Sequence, residues 1–233
     1  MKISVIVPVL NEATNILTAL RSLTSQQIHG KTELEIIVVD GGSTDETLQL
    51  VRDFSQREGR FPIRAFSAER GRARQMNFGA KQASGEVLLF LHADSQLSEN
   101  AIHEAATALA TAAEDFGYFF MKFDSKNPLA ELYSAFTLIN SIFCHYGDSG
   151  IFARRAFFDK LGGFPEQDLM EDVEFLFRAR AKSDPLLIKN AYVTTSARRF
   201  EKNGFLEQQT LNGVLLLLYF FGTDTATLKK LYQ

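Results

Sequence analysis

Ile36-Ile37-Val38-Val39-Asp40 and, further on, Val87-Leu88-Leu89-Phe90-Leu91-His92-Ala93-Asp94 are apolar runs that each end on an aspartate. Short unbroken runs of this kind read as strands buried on both faces of a parallel sheet. A buried strand has no use for a terminal carboxylate unless something at its carboxyl edge needs one. In open α/β sheets that edge is where ligands bind. Two acids there suggest a nucleotide and a metal-bound phosphate.

Outward from these strands the pattern alternates. Residues 3–9 form another β-rich run, followed by Ile16, Leu20 and Leu23 at helical spacing. Ser43-Thr44-Asp45-Glu46 matches a capping box for a helix bearing Leu48, Val51 and Phe54. A short strand over 63–66 precedes Gly71 and a helix with Met76, Ala80 and Ala83 on one face. A strand over 86–91 follows, and Ser98 is placed to cap a helix carrying Ile102, Ala105 and Leu109. Strand and helix in alternation give parallel strands with helical crossovers, an α/β doubly wound sheet that is mostly parallel and flanked by helices.

The second half is less regular. Residues 117–123 read as a strand, and Asn127-Pro128 opens a helix with Leu132, Phe136, Ile139 and Phe143. Strands over 147–153 and 191–197 enclose a helix containing Glu171, Asp172 and Glu174. No repeat or Gly/Ser linker interrupts the chain, so one domain is expected over 1–203 with a helical extension over 204–233 packed on it.

Bulk properties narrow the function classes. The chain has 233 residues, 45% hydrophobic and 23% charged, with a formal charge of −3. That balance supplies no basic field for a polyanion, so nucleic acid is not an expected partner. The single cysteine, Cys144, cannot form an internal disulfide and suits a reducing compartment. The first apolar stretch breaks too early for a signal peptide, and the apolar run 214–221 falls short of the roughly 20 residues a spanning helix needs. A cytoplasmic protein is expected. The run reads either as a helix buried on the main body or as one touching the inner face of a membrane, or a second copy, peripherally. The 21 phenylalanines keep the contact reading open.

Several positions carry candidate chemistry. Pro8, Asn11 and Glu12 close the first strand: the proline is expected to stop the ladder, and Asn11 is either a helix cap or a polar group at the sheet edge. Asp40 leads into Gly41-Gly42, where a ligand can approach backbone closely. Its carboxylate suits a ribose hydroxyl or base NH, since Ser43 fits the capping role better. Arg72 and Arg74 stand at a helix start, where amides and dipole already favour an anion; Arg74 is the preferred anion contact. His92 and Asp94 share one face of an extended chain, so both can approach one metal. One carboxylate plus phosphate oxygens suits Mg²⁺, and Mn²⁺ tolerates the imidazole better. Glu171-Asp172 offers a general base, or alternatively two acids complementing a helix dipole. Arg198-Arg199 either neutralises a leaving diphosphate or is solvated.

Five pieces in order then resemble the family 2 glycosyltransferases of the GT-A fold. They are Val5-Ile6-Val7-Pro8-Val9-Leu10-Asn11-Glu12, Val38-Val39-Asp40-Gly41-Gly42-Ser43-Thr44-Asp45, Arg74 with Asn77-Phe78-Gly79-Ala80, Phe90-Leu91-His92-Ala93-Asp94, and Glu171-Asp172. The resemblance covers about residues 1–181. It implies a nucleotide-sugar donor whose uracil or ribose meets Asp40, a pocket lined by Pro8 and Glu12, and a divalent metal, Mn²⁺ or Mg²⁺, at Asp94. Asp172 is implied as the base that deprotonates an acceptor hydroxyl, with inversion at the anomeric carbon. His92 stands where the family commonly has a second Asp, which removes one negative charge from the metal site. Gly147-Asp148-Ser149-Gly150 through Arg155, Ser196-Ala197-Arg198-Arg199-Phe200 and the closing Leu231-Tyr232 resemble a narrower group, small bacterial enzymes labelled for arsenosugar biosynthesis. That resemblance implies a small-molecule acceptor and puts Asp148 near one of the sugars. A sugar nucleotidyltransferase, the first alternative, calls for a Gly-rich loop with Arg and Lys after the first strand, where Val9-Leu10-Asn11-Glu12 stands instead. A non-catalytic nucleotide-sugar binder, the second, has no need for both Asp94 and Asp172.

Overall fold

The computed structural model describes residues 1–141 and 143–232. The alternation read from the first half becomes β1 (Lys2–Val9), α1 (Ile16–Thr24), β2 (Glu33–Asp40), α2 (Thr47–Arg57), β3 (Ile63–Ser67), α3 (Arg72–Gln82), β4 (Val87–Phe90), β5 (Ser95–Leu97) and α4 (Ala101–Thr111). The second half supplies β6 (Phe116–Phe123), α5 (Pro128–Phe136), β7 (Ile151–Arg154), α6 (Arg155–Lys160), α7 (Glu171–Arg180), β8 (Pro185–Thr195), α8 (Arg198–Asn203), α9 (Phe205–Phe220) and α10 (Thr225–Tyr232). The strands form one sheet in the order β3-β2-β1-β4-β7-β6-β8-β5. The β1, β2, β3 and β4 neighbours pair in parallel, as do β6 and β8, whereas β7 and β5 run against their neighbours. The expected α/β, mostly parallel architecture is therefore present.

Side chains alternate across β1, so one strand feeds two cores. Ile3, Val5, Val7 and Val9 pack with Ile16, Leu20 and Leu23 of α1, Val51 of α2, and Ile102, Ala105 and Leu109 of α4. Ile6 faces the other way, against Met76 and Ala80 of α3, Phe158 of α6, and Phe175 and Leu176 of α7. Both faces are thus covered, as a parallel sheet requires. On the second face α3 seats very closely: a Cβ on Gly79 would lie 2.5 Å from Ile6 Cγ2. Between α3 and the sheet, the Gln75 amide donates to the carbonyls of Val9 and Val39, both at 2.8 Å. It thereby locks the ends of β1 and β2 at the edge where the site lies.

Glu35 is the polar anchor at the opposite end of these strands. Its carboxylate accepts from Ser4 Oγ at 2.6 Å, from Ser84 N at 2.6 Å and from Ser84 Oγ at 2.8 Å, and it pairs with Arg64 at 3.2 Å and Lys2 at 3.8 Å. Burial alone pushes this carboxyl up, but the hydroxyls, the amide and Lys2 outweigh it and hold it down at about 2, against an ordinary 4.5. A depressed carboxyl contributes stability above its unfolded value that is lost as the pH falls through the folded one. Because Lys2 and Arg64 are partly solvated, we expect Glu35→Gln to cost about 2 kcal/mol at neutral pH. The gap between wild type and variant should close in denaturant titrations as the pH falls from about 4.5 toward 2.

Local details depart from the sequence expectations where tertiary contacts intervene. Pro8 does not end the ladder: β1 runs through it to Val9, opposite Val39 and Asp40 of β2. The capping box at Ser43 is not formed, because Ser43 Oγ accepts from Asn11 N at 2.9 Å. Thr47 N instead meets Asp45 Oδ1 at 3.0 Å. Ser98 turns toward β8, where its hydroxyl accepts from Tyr192 N at 3.1 Å, so it is not a helix cap. Asn127 does cap α5, accepting from Leu129 N at 2.9 Å. That helix ends at Phe136 and leaves Ile139 and Phe143 beyond it. The strand expected over 147–153 begins only at Ile151, since Gly147–Ser149 is a 3₁₀ turn. The strand expected over 191–197 is the second half of the longer β8.

Beyond β8, Phe123, Tyr133, Phe200 and Phe205 form a third cluster that fixes α8 and the start of α9 to β6 and α5. Only Phe205, Gln208 and Leu215 of α9 are buried. Leu217 and Phe221 are 60% and 86% exposed, so the apolar run is not the buried helix that hydropathy alone favours. Phe220 lies against Phe143 and Phe177, giving an apolar face shared by three segments. Among the described residues no helix is long and apolar enough to cross a membrane.

Candidate active site

β1, β2 and β4 all point the same way, so the loops that follow them meet at one edge. The loop after β1 is stitched to the loop after β2. Asn11 Oδ1 accepts from Thr44 N at 2.8 Å, Glu12 N donates to Thr47 Oγ1 at 2.8 Å, and Ala13 N donates to Asp45 Oδ2 at 3.2 Å. Asn11 takes a positive φ of 54° to do this, a conformation that asparagine tolerates better than most residues. It is therefore a brace between the two loops and not the cap of α1.

Asp40 is 3% exposed, and its carboxylate accepts from Gly42 N at 3.0 Å and Ser43 N at 3.1 Å. Asp40 thus closes the Gly41–Ser43 turn, and neither it nor Ser43 caps α2. A carboxylate offers about four acceptor positions, so this turn leaves capacity for a ligand.

Asp94 stands four residues beyond the last residue of β4, in the turn leading to β5. Arg198, at the start of α8, reaches across to it. One guanidinium nitrogen lies 2.8 Å from Glu12 Oε1 and 3.6 Å from Asp94 Oδ2, while Asn15 donates to Glu12 Oε2 at 2.6 Å. Glu12, Asp94 and Arg198, far apart in sequence, are one ionic cluster.

A second cluster adjoins it. Asp172, at the start of α7, accepts from Gly147 N at 2.6 Å and from Val173 N at 2.8 Å. A Cβ on Gly147 would fall 2.9 Å from Asp172 Oδ2 and 3.0 Å from His92 Nε2, so glycine is the residue that lets the two groups approach this backbone. Burial, with the positive charge of Arg72 and against the pull of Asp172, pushes the His92 imidazole down to about 3. The ring is neutral at physiological pH. Asp148 is pushed the other way, to about 7, by burial and by the charges of Asp172 and Asp94, with Arg72 opposing. Its Oδ1 is buried and has no hydrogen-bond partner among the described residues.

Arg72 supplies the balancing cation. Its Nη1 lies 3.2 Å from Glu171 Oε1. Glu171 is 3% exposed, and burial raises its carboxyl even against the Arg72 charge, with Asp172 adding to the rise. Arg74 is not the arginine at this point. It pairs with Glu69 and, at 3.4 Å, with Glu166 on the exposed surface. Residues two apart on a helix project about 200° from each other, so α3 can aim only one of the pair at the acids. Arg199 makes no ion pair with these carboxylates among the described residues and sits over the Tyr232 ring, 4.3 Å from its centroid. Sequence reading named Arg72 but preferred Arg74, and it gave no role to Gly147, Gln75 or Tyr232. Pairing with Glu171 was the missing signal.

Among the described residues no group of three or more His, Cys, Asp and Glu is arranged to hold a metal. The donor set still fits a cation held largely by phosphate oxygens. Asp94 faces the cluster with one carboxylate, neutral His92 is near, and the orphaned Asp148 Oδ1 sits in a field with excess negative charge.

The site lies within a recognisable family pattern. Residues 4–203 match the family model described as glycosyl transferase family 2. The chain belongs to that family. It is 30% identical over 173 residues to glycosyltransferase AglE of Haloferax volcanii, covering 73% of this chain and 54% of that protein. It therefore spans about half the length of this curated relative. The crystal structure of Staphylococcus aureus TarS 1-349 in complex with UDP-GlcNAc superposes with a TM-score of 0.67 at 26% identity, covering 84% of this chain and 58% of the other. The mannosyltransferase PcManGT from Pyrobaculum calidifontis, solved with GDP-Man and Mn²⁺, shares the fold at a TM-score of 0.66 and 22% identity, covering 99% and 67%. The GT-A fold expected from the sequence resemblance is thus the fold of this family 2 member.

Proposed function

We propose that the protein transfers a sugar from a nucleoside-diphosphate sugar, with UDP as the nucleotide, to a hydroxyl of a small-molecule or lipid acceptor. The observation that carries this reading is the convergence of Asp94, Asp148, Asp172, Glu171, Arg72 and Arg198 at the carboxyl edge of the parallel strands. UDP is chosen because the TarS structure, a family member with the same fold, was solved with UDP-GlcNAc.

In this reading Pro8, Asn11, Glu12 and Asp40 bound the nucleoside end, with Asp40 meeting the base or ribose. Asp94 would hold a divalent cation, Mn²⁺ or Mg²⁺, with His92 and Asp148 as the adjoining groups. When bound, that ion neutralises charge on the diphosphate. Asp172 takes the proton from the acceptor hydroxyl while the acceptor oxygen bonds to the anomeric carbon from the face opposite the leaving group. The bond to the diphosphate breaks, its electron pair leaves with the phosphate oxygen, and configuration inverts. Gly147 N–H fixes the Asp172 carboxylate for this step. Glu171 positions Arg72, and Arg72 and Arg198 offset charge on the departing group. Arg74, paired with Glu69 and Glu166, is left outside the anion site.

Residues 1–203 form the transferase domain, and 204–233 form a helical extension on it; the family match ending at residue 203 supports that division. The reading further takes the protein as cytoplasmic, with the exposed face of α9 meeting the inner membrane surface or a second copy peripherally. Co-sedimentation with phosphatidylglycerol vesicles supports the first contact, and a dimer by light scattering the second. A panel of UDP- and GDP-sugars with Mn²⁺, followed by NMR of the product's anomeric proton, tests the reaction itself. An inverted product supports the reading, and retention overturns direct displacement from Asp172.

A further inference from the structure

α10 contacts two segments that flank the site. Lys229 pairs with Asp168 at 2.8 Å, three residues before Glu171 on the loop that presents Glu171 and Asp172. Three residues further along α10, the Tyr232 ring lies under the Arg199 guanidinium at 4.3 Å. Arg199 neighbours Arg198, which holds Glu12 and Asp94. Leu228, just ahead of both contacts, is fully buried and fixes the helix in place. The helix therefore joins the element carrying the base to the element carrying the arginine pair.

Arg199 is the unspent charge in this arrangement. It is exposed, and among the described residues it makes no ion pair. A guanidinium stacked on an aromatic face is held in place while its N–H groups stay free at the rim. Such a cation suits an anion with several oxygens, and here the adjacent anion would be the donor's diphosphate.

We infer that α10 is a strap across the site and that Tyr232 is a positioning residue, its ring fixing Arg199 for contact with the diphosphate of the donor. This inference rests on the proposed nucleotide-sugar reading. It assigns Tyr232 no contact with the reacting atoms. The π face carries the effect, and the hydroxyl is dispensable.

The test is calorimetric titration with UDP or GDP, whichever the wild-type protein binds, in the presence of Mn²⁺, on Tyr232→Phe, Tyr232→Leu, Arg199→Ala and Arg199→Ala/Tyr232→Leu. Phe should bind within about two-fold of wild type, and Leu should lose roughly three- to ten-fold, the range of a partly exposed cation–π contact. Arg199→Ala should lose at least as much, and the double variant no more than Arg199→Ala alone. Leu keeps the apolar packing, and melting temperatures within a few degrees of wild type separate positioning from unfolding. Unchanged affinity in Tyr232→Leu, or losses that multiply in the double variant, would overturn the strap while leaving the donor reading intact. Wild-type protein that binds neither nucleotide overturns the donor reading and this inference with it.

Discussion

Asp172→Asn should lower the transfer rate by roughly 10²- to 10⁴-fold while leaving nucleotide affinity within a few-fold of wild type, the range expected for loss of a general base. The amide keeps the shape and still accepts from Gly147 N through its oxygen, giving up only the local bond from Val173 N, so the 3₁₀ turn over Gly147–Ser149 stays held. What is lost is the site for the acceptor's proton. Asp172 lies at the first turn of α7, and no hydrogen bond ties it to the loops after β1 and β2, so the nucleoside contacts should survive loss of its charge. The expected signature is a fall in kcat with little change in Kd for UDP. Turnover near the wild-type rate in this variant would remove Asp172 as the base.

Asp94→Asn should be comparably damaging but differently expressed. Asp94 is the carboxylate through which Arg198 is tied to β4, and it is the assigned holder of the cation. Replacing it removes a hard anionic ligand, and the remaining neutral imidazole of His92 does not compensate. Transfer should fall by about 10²-fold or more, the order lost with one charge-stabilising group. The metal dependence of nucleotide binding should vanish with it. A melting curve like that of the wild type would show that the loss is chemical, since Asp94 is partly solvated and outside both main cores. Retained metal dependence in Asp94→Asn would move the cation elsewhere.

The legible part of this protein was the part whose information is local. β1, β2 and β4 are apolar on both faces, and that alone identified a parallel sheet with acids at its carboxyl edge. α1 and α4 could be read from their spacing for the same reason. Caps and turns were misread wherever a distant segment competed for the same acceptor. Ser43 has the right neighbours for a capping box, yet the Asn11 amide from another loop takes its oxygen, and Asp40 folds back on Gly42 and Ser43. Ile139 and Phe143 continue the spacing of α5, but the chain leaves the helix at Phe136 and goes on to bring Gly147 to Asp172.

The site was legible as residue types and not as partners. Asp94, Asp148 and Asp172 were all named from sequence, and the structure gathers them with Glu171 into one field. Which arginine answers them was not readable. Arg72 and Arg74 sit in the same short motif, and only packing of α3 against α7 selects Arg72 for Glu171. Arg198 and Arg199 separate in the same way, one to Glu12 and Asp94, the other to Tyr232. Adjacent like charges in sequence become different instruments once the fold assigns their partners.

The most direct test of the central claim is calorimetric titration of the wild-type protein with UDP, with and without Mn²⁺. A nucleotide pocket at this edge with Asp94 holding the cation predicts saturable binding that tightens by about ten-fold or more when the ion is present, the equivalent of about 1.4 kcal/mol. Binding of equal strength with and without the ion would contradict the Asp94 assignment, and no binding under either condition would contradict the UDP pocket itself.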